Sequence, residues 1–471
     1  MIGVQRVHCI GIGGIHVSAV AKLLLARGVS VSGSDAYEND ETRDMRARGV
    51  DFAIGHAANN LPADAEIAVY THAVPEDNVE FAEAKRRGIR CVDSHAFLAE
   101  LFEGARQVVV TGSHGKSTTA SMLGLILAAC GADPTVVVGT KCAGFPDGNL
   151  RIGRGDLLVV EGDEYQRHVL SYAPTVLVLN NIELDHVDVY PSIEAYEQVF
   201  ADAVAKMKPS GTVVVNADDA RAADIGRAAG EKGLAVVGVG RDRGDVRIRR
   251  IEPRNGGSSA EIVLADGNRV TIDLVVPGEM NVRNAVMAIV GARAAESLLN
   301  FNEAQGALAG FRGCWRRFES IGLIGGAITI SDYGHHPTEV AATLAAAKSA
   351  YPHRRIILAF QPHHRNRTKH LFDAFVPSFD DADVLLLVEI YDVPGREALE
   401  DTGVSSAQIV DAVRKWDAES GKARTVAFVP TPDALPDAIR AVDPSEHDVI
   451  IFMGAGSIDA AARGIVQSAA S

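Results

Sequence analysis

Apolar and polar positions along this chain fall in blocks. Short runs rich in Val, Ile and Leu recur from end to end: "RVHCIGIG", "VSVSGSD", "IAVYTHAV", "QVVVTGS", "DLLVVEGDE", "TVLVLNN", "GTVVVNADD", "AITISDYG", "RIILAFQP", "DVLLLVEIY" and "DVIIFMGAG". Helical patterns separate them. Runs that are apolar on both faces predict strands of parallel sheets covered by helices, an α/β fold. Nearly all end in Gly, Asp, Asn or His, which places chemistry at the carboxyl ends of strands, where open α/β sheets bind ligands. A different rhythm, alternating residue by residue around an Asp-Gly pair, occupies "RIRRIEPRNGGSSAEIVLADGNRVTIDLVVPG" and predicts a small antiparallel β insert. With 471 residues the chain has room for about three domains. The pattern breaks near residue 105 and again at the glycine-rich "GFRGCWRRFE", giving expected domains 1–105, 106–313 and 314–471.

Two of the strand ends run into glycine turns and then helices. "VVVTGSHGKSTTASMLG" (108–124) carries a shortened phosphate-loop pattern, Gly112-x-x-Gly115-Lys116-Ser117. Such a corner aims backbone N–H groups and the positive end of a helix dipole at one point, which suits a phosphate. Gly112, Ser113, His114, Gly115, Lys116, Ser117 and Thr118 are the candidate ligands, with Lys116 on terminal phosphates and the Ser117 hydroxyl on Mg²⁺. "VHCIGIGGIHVSAVAKLLLARG" is the second corner, with Gly11, Gly13 and Gly14 in the turn and Asp35 closing the next strand. His16 replaces the third glycine of a dinucleotide fingerprint, so a nicotinamide cofactor and another diphosphate such as that of a UDP-sugar both fit. Thr71 and His72 follow a further strand; they are hydrogen-bonding candidates, and the alternative for His72 is a loop histidine facing water.

Acidic stretches end two central strands: "VVEGDEY" (Glu161, Asp163, Glu164) and "NNIELDHVD" (Asn181, Glu183, Asp185, His186, Asp188). Mg²⁺ takes oxygen ligands, so a carboxylate beside a phosphate loop is apt, and Glu161 is the first choice. Asn281 and Asn284, placed just before a small-residue helix, read an adenine edge or cap that helix.

Composition narrows the classes. Lys plus Arg is 46 against 61 Asp plus Glu, a formal charge of −15 with no basic block, which excludes nucleic acid as the expected partner. Five cysteines form no CxxC pair, as expected of reduced thiols in a cytoplasmic protein. "SMLGLILAACGA" is too short to cross a bilayer and no signal-peptide pattern opens the chain, so no membrane partner is expected.

In order and spacing, "GIGG", "TGSHGKSTT", "EGDE", "NNIELDH", "PGEMNVRNA", "RRFE", "SDYGHHPTE" and "FQPHHRNRT" resemble the Mur ligases of peptidoglycan assembly. The resemblance spans nearly the whole chain. It implies a Rossmann-like UDP-binding domain, a central P-loop-type ATPase domain and a Rossmann-like C-terminal domain. It implies an ATP- and Mg²⁺-dependent ligase that joins a small amino acid, L-alanine from the "DYGHHPTE" and "FQPH" signatures, to the carboxylate of UDP-N-acetylmuramate through an acyl phosphate. It further implies that Gly11 to Gly14 and Ser18 form the UDP-diphosphate loop. Lys116 becomes the γ-phosphate ligand, and Ser117, Glu161 and His186 the magnesium ligands. Asn281 and Asn284 fall in the adenine signature, while Arg317 and Asp332 approach the nucleotide. Tyr333, His335, Arg365 and Arg367 line the amino-acid pocket, with Arg367 on its carboxylate and His335 orienting or deprotonating the amine. A monomer or a homodimer is the expected state.

This chain departs from the family pattern at His16 and Val17, at "THAV" (71–74), at "EGDEYQ" (161–166), at Met280 and at His364. "DEY" and "NNIE" lean toward the recycling relative that attaches a tripeptide. Readings from other classes are a nicotinamide-dependent oxidoreductase with Asp35 on the ribose, a non-catalytic nucleotide sensor, and a zinc site at His335, His336, His363 and His364.

Overall fold

The computed structural model describes residues 3–187, 189–254, 256–392 and 403–470. The chain forms two compact units: the first is Met1–Ile182, Glu197–Val239 and Met287–Ala307, the second Glu183–Tyr196, Gly240–Val286 and Leu308–Ser471.

In the first unit, five strands pair in parallel in the order Asp51–Ile54, Ser30–Asp35, Arg6–Ile10, Ile67–Tyr70, Arg90–Asp93. Chain order reverses between Arg6–Ile10 and Ile67–Tyr70, so the Gly11–Gly14 turn and the Thr71–His72 loop leave the sheet side by side, at the crevice where such sheets bind ligands. The larger sheet of this unit runs Ala235–Gly240, Thr212–Asn216, Val176–Leu179, Arg106–Thr111, Leu157–Glu161, Thr135–Val137, all parallel, with Leu150–Arg151 antiparallel at the edge. Val108 to Val110, Leu157 to Val160 and Leu177 to Leu179 are fully buried, as expected of strands covered on both faces. Each such side chain contributes about 1.5–3 kcal/mol on leaving water.

In the second unit the predicted insert is present as Val246–Arg254, Gly257–Val263 and Arg269–Leu274, joined antiparallel, with Ala260, Ile262, Ile272 and Leu274 buried on one face. A six-stranded sheet follows in the order Glu319–Ile324, Ala327–Asp332, Asp448–Met453, Arg355–Phe360, Val384–Val388, Thr425–Val429. Its first two strands form a hairpin whose turn residues Gly325 and Gly326 both have positive φ, 59° and 87°. That turn matches the twist of the strands and is open to glycine. The remaining pairings are parallel, with apolar layers on both faces.

The five cysteines, all among the described residues, form no disulfide. No described helix is long and apolar enough to cross a membrane.

Candidate active site

The strand Arg106–Thr111 delivers its chain into a turn that the side chains around it hold open. Gly112 and Gly115 have φ of 122° and 79°, and Gly115 opens the helix Lys116–Ala129 with no side-chain cap. First-turn amides are thereby left for an anion. Asn181 grips the turn: its carbonyl accepts from the Ser113 N–H (3.1 Å), and its Oδ1 accepts from the His114 N–H (2.8 Å). Asn180 Nδ2 donates to His114 O (3.1 Å) and to Thr119 Oγ1 (3.1 Å). Lys116 Nζ curls back over the turn, donating to Gly112 O (2.8 Å) and to both carboxylate oxygens of Glu164 (3.0 and 2.8 Å). Burial works to lower the lysine pKa, but the carboxylates of Glu164, Asp163 and Glu161 outweigh it and hold the ammonium charged. One residue on, Ser117 Oγ donates to Glu161 Oε1 (2.9 Å), whose other oxygen accepts from the Gly139 N–H (2.6 Å). Burial raises the Glu161 pKa against the pull of Lys116. A hydroxyl and a carboxylate in contact beside a lysine form an oxygen donor set of the kind a hard divalent cation takes. Thr118 is buried in the helix's first turn.

The other corner of this unit is cut differently. Gly11 has φ 78°, and a Cβ there would meet Thr71 Cγ2 at 2.8 Å. One loop amide is already engaged, Gly13 N–H donating to Asp35 Oδ2 (2.8 Å). Ser18 is fully buried: its hydroxyl donates to Ile15 O (2.9 Å) and accepts from Asn149 Nδ2 (2.9 Å). It braces the turn from inside the helix and does not stand on the loop's open face as the diphosphate assignment expects, because residue 18 already lies one turn into the helix Ile15–Ala26. The Thr71 hydroxyl accepts weakly from the Ala73 N–H (3.4 Å). His72 is partly exposed and does not merely face water; its Nδ1 lies 3.0 Å from Asp93 Oδ2.

In the second unit the polar groups gather on Asp185. Arg367 Nε donates to Asp185 Oδ1 (2.8 Å), and His335 Nε2 lies 3.5 Å from Oδ2. Asp185 is buried, yet Arg367, His186 and His335 hold its carboxyl well below the usual carboxylate range. His363 packs against Arg367 (3.3 Å), and burial beside His335, His364 and Arg367 pushes its pKa down to about 2. His335 is pinned by its own N–H to Glu339 Oε2 (2.9 Å), and the Tyr333 ring lies under the guanidinium groups of Arg316 and Arg317 at 4.9 and 5.0 Å. Asp332 accepts from the Phe318 and Gly334 N–H groups (2.8 and 2.7 Å), and burial raises its pKa to about 6. It fixes the turn that presents Tyr333 and His335. Arg365 turns away from this cluster and donates to Asp392 (3.0 Å) and to Val404 O (2.9 Å). His186 has a left-handed φ of 52°, and its carbonyl accepts from the Val189 and Tyr190 N–H groups.

Asn281 and Asn284 do not precede their helix. It begins at Glu279, because Gly278 (φ 98°) already turns the chain, so both lie within its first two turns and Asn281 Nδ2 donates back to Pro277 O (2.7 Å). Asp188 lies outside the described residues. Glu164 and Asp185, the buried partners of Lys116 and Arg367, had no site role from sequence; "EGDE" and "LDH" mark them only as acids near strand ends.

Three family models match in register. The Mur ligase family catalytic domain covers residues 6–106, the Mur ligase middle domain 110–292, and the Mur ligase glutamate ligase domain 316–456. A curated UDP-N-acetylmuramate–L-alanine ligase of Salinibacter ruber is 38% identical over 468 residues, covering 98% of this chain and 95% of its own. One from Geobacter sulfurreducens is 38% identical over 458 residues, covering 97% and 96%. The crystal structure of a UDP-N-acetylmuramate–alanine ligase from Thermotoga maritima superposes with a TM-score of 0.82 at 26% identity, covering 98% of each chain. A murein peptide ligase from Psychrobacter arcticus, at 22% identity and a TM-score of 0.69, shares the fold.

Proposed function

The chain belongs to the Mur ligase family, and from that membership we propose that it joins L-alanine to the carboxylate of UDP-N-acetylmuramate at the expense of ATP, in peptidoglycan precursor synthesis. It is an enzyme, an ATP-dependent ligase, which removes the nicotinamide and sensor readings. The observation that carries the site assignment is Lys116: a charged ammonium folded over a glycine turn, one residue from a hydroxyl–carboxylate pair.

Amide formation needs the carboxylate activated. In the proposed sequence the sugar carboxylate takes the γ-phosphoryl group of ATP, giving an acyl phosphate and ADP. The amine of L-alanine then attacks the acyl carbon, and phosphate leaves from the tetrahedral intermediate. Lys116 and the amides of Gly112 to Thr118 hold the terminal phosphates, and Lys116 stabilises the charge that grows during transfer. Ser117, Glu161 and His186 would hold Mg²⁺, which supplies charge neutralisation when bound. Asn281, Asn284, Arg317 and Asp332 serve the nucleotide. Gly11, Gly13, Gly14, Asp35, Thr71 and His72 serve the UDP-sugar, with Ser18 as their internal brace. Tyr333, His335 and Arg367 serve the amino acid, while Arg365, held by Asp392 and Val404 O, stands outside that pocket; Arg367 offers the amino acid's carboxylate a planar fork whose Nε edge Asp185 already orients. His335, whose Nε2 lies 3.5 Å from Asp185 Oδ2 and whose Nδ1 lies 3.2 Å from Tyr333 O, is held where it orients an incoming amine.

The test is phosphate release by the purified chain with ATP, Mg²⁺, UDP-N-acetylmuramate and one acceptor at a time. L-alanine is expected to give the highest kcat/KM among L-alanine, glycine, L-serine and a tripeptide. Turnover of the tripeptide with L-alanine inert would move the chain to the recycling class.

A further inference from the structure

A second cluster in the first unit belongs neither to the phosphate turn nor to its carboxylates. His72 follows the strand Ile67–Tyr70, Asp93 ends the strand Arg90–Asp93, and His168 comes from the 3₁₀ segment Tyr165–Ser171. We propose that His72, Asp93 and His168 bind a divalent transition-metal ion of the zinc type, distinct from the magnesium of the ligase reaction.

Three ligand atoms converge. His72 Nδ1 lies 3.0 Å from Asp93 Oδ2 and 3.0 Å from His168 Nε2, and His168 Nε2 lies 3.9 Å from Asp93 Oδ2. These edges bracket the ~3.3 Å edge of a tetrahedron whose metal–ligand bonds are about 2.0–2.1 Å. Protons alone serve the trio poorly. If His168 Nε2–H donates to His72 Nδ1, the lone pair of His72 faces the Asp93 carboxylate. If His72 Nδ1–H donates to Asp93, the His168 Nε2 lone pair faces, at 3.0 Å, a nitrogen whose one proton is already given to the carboxylate. A cation gives the lone pairs of His72 Nδ1, His168 Nε2 and Asp93 Oδ2 one common partner, with the His168 proton on Nδ1.

The ligands are also held in place. Asp93 Oδ1 accepts from the His95 and Ala96 N–H groups (2.8 and 3.2 Å) as the N-cap of the helix Ser94–Leu101, which leaves Oδ2 for the cluster. The His168 ring lies flat on His95, with centroids 4.3 Å apart and planes 12° apart. His95 is itself stacked on His16 at 3.6 Å and hydrogen-bonded to the Tyr172 hydroxyl (3.0 Å). Two imidazoles and one carboxylate favour Zn²⁺, Co²⁺ or Ni²⁺ over Mg²⁺ and Ca²⁺, which take oxygen. His72, 37% exposed, gives such an ion a route from solvent, and three protein ligands leave a fourth position for water or another donor. The ion would tie the Thr71–His72 loop to a segment 96 residues away in sequence. The proposed ion shares His72 with the UDP-sugar set of the ligase reading, and metal titration in the absence of nucleotide and sugar tests it apart from that reading.

The full-length chain, stripped with a chelator, is titrated with Zn²⁺ by calorimetry and with Co²⁺ by visible absorption. One equivalent of Zn²⁺ is expected to bind, with a rise in Tm, a visible Co²⁺ band, and no displacement by excess Mg²⁺. His72→Gln changes a loop side chain, and Asp93→Asn keeps a capping acceptor for the helix. Each is expected to weaken Zn²⁺ binding by about 100-fold or more. His447→Gln, at an exposed histidine elsewhere, is expected to bind as the wild type does. Wild-type affinity in either of the first two variants, or no saturable equivalent in the wild type, overturns the assignment.

Discussion

Two corners of the first unit share one design and diverge in chemistry. Both run from a buried strand, through a glycine with positive φ, into a helix with no side-chain cap. At Gly112 the entering strand is a run of fully buried valines, the turn is clamped by the backbone and side chains of Asn180 and Asn181, and a lysine lies over it. At Gly11 the entering strand carries a buried His8, the turn is crossed by the Thr71 side chain, and its amide partner is the carboxylate of Asp35. Glycine spacing builds the corner in each case. Under the proposed function, the residues that follow and flank it would decide whether a terminal polyphosphate is gripped by a cation or an inner diphosphate is met by backbone amides.

Removing the cation should therefore erase the difference. Lys116→Ala is expected to cut ADP and phosphate formation by about 10³-fold or more, the scale of losing a principal transition-state charge partner. Binding of UDP-N-acetylmuramate, measured by calorimetry, should persist. Turnover equal to the wild type would end the assignment of this corner to ATP.

The backbone gives a second, smaller contrast. A Cβ on Gly112 would lie 2.8 Å from Asn181 O and 2.9 Å from Asn181 N, atoms of a neighbouring backbone that cannot swing aside. On Gly11 the closest atom is the methyl of Thr71, which a rotation can move. Gly112→Ala is expected to cost about 2–4 kcal/mol and Gly11→Ala about half that, since both pay for the left-handed φ and only the first must displace main chain. Thermal unfolding of the two variants checks the order; equal losses would mean that φ alone sets the cost.

Both corners were legible in the sequence because a β-branched run followed by glycines and a helical pattern admits few other conformations. The parallel strands were legible for the same reason. The short strands Thr135–Val137 and Leu150–Arg151 were not, being too brief to show a period. The partners of the two cations were hidden as well: Glu164 meets Lys116 across 48 residues and Asp185 meets Arg367 across 182, and only the assembled sheets bring such pairs together. The helix holding Asn281 starts two residues before that asparagine, at Glu279, because Gly278 turns the chain there, a φ that no apolar pattern reveals. Ser18, which the family resemblance implies in the diphosphate loop, is turned inward by a helix that begins at Ile15.

The last contrast lies beneath the Gly11 corner, in acid. Glu80 is buried; its carboxylate accepts from Ser34 Oγ (2.6 Å), Asn60 Nδ2 (2.8 Å) and the Ala57 N–H (3.1 Å), and contacts His8 Nε2 (3.2 Å). Burial pushes its pKa up, but these hydrogen bonds prevail and hold it at about 2. An unfolded glutamate titrates near 4.5. The ionised form is thus favoured by folding: its contribution is complete above about pH 4.5 and is lost as pH falls toward about 2. Allowing for solvent screening, it is worth about 2 kcal/mol. Glu80→Gln should lower Tm at pH 7, and the gap between variant and wild type should narrow at pH 3, where the native carboxylate has begun to lose its advantage. The valine strand under the Gly112 turn carries no such group, so Val109→Ala should cost the same at both pH values. A gap for Glu80→Gln that stays constant from pH 7 to pH 3 would place the acid sensitivity of this unit elsewhere.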